Sequence, residues 1–445
     1  MQNDQPECGS FAVPAANFSR KGYDVVQAGR ALWAPSTQMG LVQGKQTMIV
    51  KGEGAYIVTD EGDRLYDASA ALWYANIGHG EPRVVEAAAE QMRELETFQT
   101  WGGFLNPRTA ELADRLSERH APFPDSKVLF GAGGSDAAEL AFKLARLHWQ
   151  RKGAQEKRVI LSRENAYHGL HAFGTSLYGN NDMRSLYGGG NLIPDTGLIS
   201  RDDIDAVRSQ VLEIGPERIA AIVAEPVIGS GGVFPPAEGY LEGLRALCDE
   251  FDMLLIFDEV ISGFGRTGEW FASDHFGVQP DMTMFAKGIT CGYFPLGGIF
   301  VSRKIWEPFW TEDPEFIYHF GVTYSGHATG CAVALKVLDI LEGDGLLPRV
   351  KQLGAQLAAG LRERVAPAPG VKAARSVGLI GIVELSEGID SREVSRAMRA
   401  SHGVLARPLG TAAIALAPPF ISTEAEIENL IDALSTMPGK ALQEG

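Results

Sequence analysis

Met253-Leu-Leu-Ile-Phe257 runs into Asp258-Glu259-Val260, and Asp281-Met-Thr-Met-Phe-Ala286 runs into Lys287-Gly288. Each is a short apolar run that stops at a residue able to do chemistry. A run that is apolar at every position, rather than at alternate ones, reads as a strand buried on both faces. Lys127-Val-Leu-Phe130, Arg158-Val-Ile-Leu161 and Ile219-Ala-Ala-Ile-Val-Ala224 repeat the pattern. Helices are expected between them at 136–150 and 238–251. This alternation predicts an α/β fold, a mostly parallel sheet covered by helices on both faces.

Outward from that centre, Met48 to Asp67 reads as short strands turning at Gly52-Glu-Gly54 and Asp60-Glu-Gly-Asp63. Helices are expected at 83–98, opening after Glu81-Pro82, and at 108–119. The chain is expected to be helical from 331 to about 365 and mixed beyond, forming a smaller α+β domain. With 445 residues the chain exceeds one ordinary core. The expected division is an arm and strands over 1–65, belonging to the small domain, a large domain over 66–330, and a C-terminal small domain over 331–445. Residues 1–20 read as a loosely held arm.

The net charge of −16 argues against nucleic acid or an anionic membrane as partner. No apolar stretch reaches the roughly 18–20 residues of a membrane span. The polar start, Met1-Gln-Asn-Asp-Gln-Pro-Glu7, lacks the apolar core of a secretory signal. Cys8, Cys248, Cys291 and Cys331 form no CxxC pair, which fits a reducing cytoplasm. The nine histidines show no HxxxH or HExxH spacing, so no metal site is expected.

In an open α/β sheet the ligand lies beyond the carboxyl ends of the strands. Gly134-Ser135, Tyr167-His168, Glu225, Asp258 and Lys287 each follow a strand-like run. A lysine and an aspartate on that edge match the needs of pyridoxal phosphate. The cofactor's aldehyde takes an amine, and its pyridine nitrogen takes a carboxylate that keeps it protonated. Lys287 is the candidate amine and proton carrier, and Asp258 the candidate carboxylate, although strand-end aspartates also serve as helix caps. Val260 could pack on the ring and Tyr167 could stack on it. Gly131-Ala-Gly133-Gly134-Ser135-Asp136 joins a strand to a helix, where backbone N–H groups and the helix dipole favour a phosphate. The hydroxyl of Thr323 could add a phosphate contact.

With these residues the chain resembles the class III pyridoxal-phosphate-dependent aminotransferases of fold type I, from about residue 30 to 425. It is most similar to their ω-aminotransferases of the amine:pyruvate group. The resemblance rests on Tyr167-His-Gly, Glu225-Pro-Val, Asp258-Glu-Val-Ile-Ser-Gly-Phe-Gly-Arg266-Thr-Gly268, Ala286-Lys-Gly-Ile-Thr, Pro295-Leu-Gly-Gly and Tyr324-Ser-Gly-His. It implies that Gly134 and Ser135 bind phosphate, Tyr167 stacks on the ring, Asp258 pairs with its nitrogen and Lys287 links to it. It implies an obligate homodimer with shared active sites, Thr323 reaching the neighbouring subunit's phosphate. It places Glu225 near the cofactor, Trp73 on the pocket wall, and Arg407 as a mobile clamp for a substrate carboxylate.

The activity implied is a ping-pong transfer of nitrogen from a primary amine or ω-amino acid to a 2-oxo acid, with pyruvate as the leading acceptor. An aminomutase or racemase of the same fold is the alternative. A non-catalytic regulator would need a nucleic-acid-binding module, and none is visible. Three departures stand out from the usual pattern. Ala138 replaces an asparagine, Ile228 a frequent polar residue and Val322 a frequent larger aromatic. Ala138 implies a lost hydrogen-bonding group near the site, and Ile228 and Val322 a pocket that is more apolar or roomier.

Overall fold

A computed structural model describes residues 31–188 and 191–444. The arm expected over 1–20, and Cys8, lie outside the described residues. Strands β1 (Ile49–Glu53), β2 (Tyr56–Thr59) and β3 (Arg64–Asp67) form an antiparallel meander with turns where the glycines and aspartates predict them. The central sheet has seven strands: β4 (Lys127–Gly131), β5 (Val159–Arg163), β6 (Thr196–Ile199), β7 (Ile219–Ala224), β8 (Leu254–Asp258), β9 (Met282–Phe285) and β10 (Gly297–Val301). Their order is β4-β10-β9-β8-β7-β5-β6, and β10 alone runs antiparallel, to both of its neighbours. Every residue of β5, β7, β8, β9 and β10 is buried, the physical reason that these strands read as unbroken apolar runs.

Four further points set the frame around the site. The helix expected at 136–150 spans Gly134–Arg151, so Gly134 and Ser135 belong to its first turn. The helix expected at 83–98 stops at Leu95 and starts at Pro82, where the Glu81 carboxylate caps Arg83 N–H. The one expected at 108–119 is α-helical over Pro107–Arg115 and then widens into a π-turn over Leu116–His120. The C-terminal helical segment begins at Ala328, before the expected 331, and comprises Ala328–Gly343 and Leu346–Gly360.

Beyond them lie β11 (Val371–Val377), β12 (Ile380–Leu385), β13 (Val404–Leu405), β14 (Arg407–Leu409) and β15 (Ala413–Leu416). Four of these make a sheet in the order β11-β12-β15-β14, while β13 crosses over to pair in parallel with β3. The N-terminal strands are thereby tied to the C-terminal segment. Glu259 also finds its place here. Its buried carboxylate accepts hydrogen bonds from Ser262 Oγ (2.9 Å), Ala272 N (2.6 Å) and Ser273 N (2.7 Å), which anchors the start of the helix Ala272–Phe276.

Candidate active site

The carboxyl ends of β4, β7, β8 and β9 open on one cavity of about 410 Å³. Gly134, Ser135, Tyr167, Glu225, Asp258, Val260 and Lys287 all line it. Seven candidate residues drawn from separate stretches of chain therefore meet in one place.

At one end lies the N-terminus of the 18-residue helix Gly134–Arg151. The N–H groups of Gly134 and Ser135 sit in its first turn, where no intrahelical partner exists. A Cβ added at Gly134 would come within 3.1 Å of Val260 Cγ1, so glycine keeps this approach tight. The cradle can hold a phosphate by backbone N–H groups and the helix dipole.

At the other end Asp258 leaves β8 buried. Its Oδ1 accepts from Val260 N (3.1 Å) and its Oδ2 from His168 Nδ1 (2.7 Å). A carboxylate only accepts, so Nδ1 carries the proton in this contact. His168 Nε2 in turn lies 3.0 Å from Ser162 Oγ. Two buried side chains thus stand behind the carboxylate and fix its direction. The sequence reading had not singled out His168 for this; its adjacency to Tyr167 was the available signal.

Glu225 leaves β7 and accepts from Tyr167 N (2.9 Å) and Gly229 N (2.8 Å). Burial, and then the charge of Asp258, push its carboxyl up to about 7. Tyr167 packs edge-on to Tyr178, with centroids 5.6 Å apart.

Lys287 follows β9 with a left-handed φ of +47°. That conformation is costly for a residue with a Cβ and recurs at functional sites. Among the described residues Lys287 makes no hydrogen bond or ion pair. Burial holds its ammonium below the ordinary lysine value, with Arg407 pushing the same way and Asp258 and Glu225 opposing. A desolvated amine that gives up its proton readily can attack an aldehyde.

Three candidate residues do not line the cavity. Thr323 is exposed on the segment before the helix Ala328–Gly343. Trp73 is buried, 4% exposed, and its ring lies 4.4 Å from Arg407 Cζ. Tyr74, one residue on, takes the wall position, together with Ile261, Thr290, Phe294 and Leu296. These wall residues escaped the sequence reading because no periodicity marks them. Arg407 is half-buried on β14 and, among the described residues, has no hydrogen-bond or ion-pair partner. Burial holds its guanidinium below its usual value. The three departures lie off the cavity lining as well. Ala138 is packed in the apolar core with Phe173 and Met284, Ile228 is fully buried opposite Phe234, and Val322 is half-buried on the Thr323 segment. The expectation that Ile228 and Val322 reshape the pocket finds no support in the lining.

The family model for aminotransferase class-III matches residues 41–437. The chain belongs to the class III aminotransferases. A putrescine–pyruvate aminotransferase of Pseudomonas aeruginosa is 35% identical over 411 residues, covering 86% of this chain and 88% of that protein. An omega-amino acid–pyruvate aminotransferase of Pseudomonas putida is 32% identical, covering 93% and 96%. A solved amine transaminase from an uncultivated Pseudomonas species, with pyridoxal phosphate bound, superposes with a TM-score of 0.86 at 36% identity, covering 92% and 98%. The transaminase has the fold type I architecture, and pyridoxal phosphate is its cofactor. The cradle, the buried Asp258 and Lys287, which has no hydrogen-bond or ion-pair partner among the described residues, suit the cofactor's phosphate, nitrogen and aldehyde in turn. Among the described residues no helix is long and apolar enough to cross a membrane.

Proposed function

We propose that this transaminase carries nitrogen from a primary amine or ω-amino acid to pyruvate in a ping-pong cycle. Pyridoxal phosphate supplies an electron sink for negative charge on the substrate carbon. In this reading Gly134 and Ser135 hold the phosphate, Tyr167 and Val260 flank the ring, and Asp258 keeps a proton on the ring nitrogen. Glu225 holds the Tyr167 backbone in place. Lys287 Nζ would hold the cofactor's aldehyde and is placed to carry a proton to and from the substrate carbon.

The observation that carries the acceptor half is Arg407: a half-buried guanidinium that has no carboxylate partner among the described residues, lies 4.4 Å over the Trp73 ring and helps hold the Lys287 ammonium below its ordinary value. A bidentate fork suits the carboxylate of a 2-oxo acid. Two relatives named for pyruvate support that choice, and they do not favour the aminomutase or racemase alternative.

A homodimer with shared sites belongs to the same reading. Phe98, Trp101, Phe104 and Leu105 are all exposed, and Trp101 lies beside Gly321, near Thr323. Such an apolar patch calls for a cover, and a second subunit would bring Thr323 to the neighbouring phosphate. The division at residues 65 and 330, and residence in the cytoplasm, are likewise part of this reading. Cytoplasmic residence draws on the unpaired, buried Cys248, Cys291 and Cys331.

The test mixes holoenzyme with a panel of amines and follows the cofactor's absorption. Conversion to the pyridoxamine form, reversed by pyruvate more effectively than by 2-oxoglutarate, is the expected result. Lys287→Ala should abolish turnover while cofactor still binds without a covalent link. Normal rates in that variant, or no conversion across the panel, refute the assignment.

A further inference from the structure

Between β3 and Tyr74 the chain carries more backbone strain than anywhere else near the cavity. Ala70, Ala71 and Trp73 have φ of 42°, 55° and 61°, all left-handed and none of them glycine. Such a run persists only where its surroundings over-determine it.

One side chain is placed to do so. Asp67 ends β3 and is 1% exposed, outside the cavity. Its Oδ1 accepts from Ser69 N (3.3 Å) and Ser69 Oγ (2.9 Å). Its Oδ2 accepts from Ala71 N (2.7 Å) and pairs with His79 Nε2 (2.9 Å). His79 is itself pinned to Gly54 by two backbone hydrogen bonds. A single carboxylate thus gathers four donors from both ends of the loop, and only an acceptor-only group can take all four.

The loop so held delivers two aromatics. Trp73 goes beneath Arg407, and Tyr74 goes to the cavity wall against Gly292, where an added Cβ would meet the ring at 2.3 Å. Strain held by a buried anion is in this way turned into the position of the guanidinium's platform.

We infer that Asp67 is a positioning residue for acceptor recognition, acting through the strained 69–73 turn and Trp73 on Arg407. The inference rests on the reading of Arg407 given above. In Asp67→Asn either orientation of the amide sets its nitrogen against a backbone N–H, that of Ser69 or that of Ala71, donor against donor, and the turn would relax.

The test is steady-state kinetics of the holoenzyme with pyruvate and with butanal, an acceptor without a carboxylate. Asp67→Asn raises KM for pyruvate about tenfold and leaves kcat and the butanal KM within about threefold. Trp73→Phe moves pyruvate KM in the same direction, and the double variant is no worse than the poorer single one. Additive effects, or equal losses with both acceptors, overturn the inference, since a merely structural role lowers both alike. Should Asp67→Asn fail to bind cofactor, His79→Ala removes one donor at the rim and raises pyruvate KM about threefold; an unchanged KM overturns it. Arg407→Gln separates the two claims. If it leaves pyruvate KM unchanged, the reading of Arg407 fails. If it raises that KM while Asp67→Asn does not, this inference alone fails.

Discussion

Gly288→Ala tests whether backbone fit around Lys287 controls catalysis. A Cβ at Gly288 would lie 2.8 Å from Asn76 Nδ2 and 3.0 Å from Phe264 Cβ, with Gly263 O at 3.4 Å. Phe264 is fully buried and Asn76 is held by Arg266 Nη2, so neither neighbour can swing away cheaply. Forcing a methyl into such a place costs about 1–3 kcal/mol. The strain can relax only by shifting the segment that holds Lys287, already at a left-handed φ. A displacement of about 1 Å at a reacting group costs roughly 10²-fold in rate. We therefore expect kcat to fall about 100-fold while the cofactor stays bound. The assay is the single-turnover amine half-reaction, followed by cofactor absorption in the stopped-flow. Gly343→Ala is the control, because a Cβ there meets nothing within 4 Å and the site ends a helix. If Gly288→Ala turns over within threefold of wild type, the link between this close approach and the lysine's position is refuted.

Two further outcomes follow from the buried carboxyl groups. His168→Ala removes the 2.7 Å donor to Asp258, a charge-assisted hydrogen bond. Such a bond is worth about 1.5–3 kcal/mol, so the half-reaction should slow by about 10- to 100-fold with cofactor content intact; an unchanged rate refutes the support role. Burial pushes Glu259 from its ordinary 4.5 up to about 7. The folded form then holds a proton that the unfolded chain has released, so stability from this group is full below pH 4.5 and lost as pH rises through 7, by about 3 kcal/mol in all. Glu259→Gln should flatten the fall of the urea midpoint across that window, and an unaltered pH dependence refutes it.

Much of the site was legible in the chain because its parts follow one local rule. Strands buried on both faces must be apolar throughout, and the residues just past their ends face the ligand edge. Asp258, Lys287, Glu225 and the Gly134-Ser135 turn are found by reading to the end of each run. The helix start at Gly134 rather than 136 was missed because glycine has low helix propensity, although it serves well where a backbone must approach a ligand.

What the sequence by itself determined is the sheet and the candidate residues gathered at its carboxyl edge, since these depend on burial patterns within a few residues. Tertiary structure alone decided who stands behind them. His168 and Ser162 line up behind Asp258, Tyr74 rather than Trp73 takes the wall, and Trp73 supports Arg407 from the far end of the chain. No local pattern encodes these pairings. The first arises because β5 and β8 flank β7 in the central sheet, and the last because β13 and β14 return from the C-terminal segment to the N-terminal loop; a contact between distant stretches is set by how whole elements pack and not by the residues beside it.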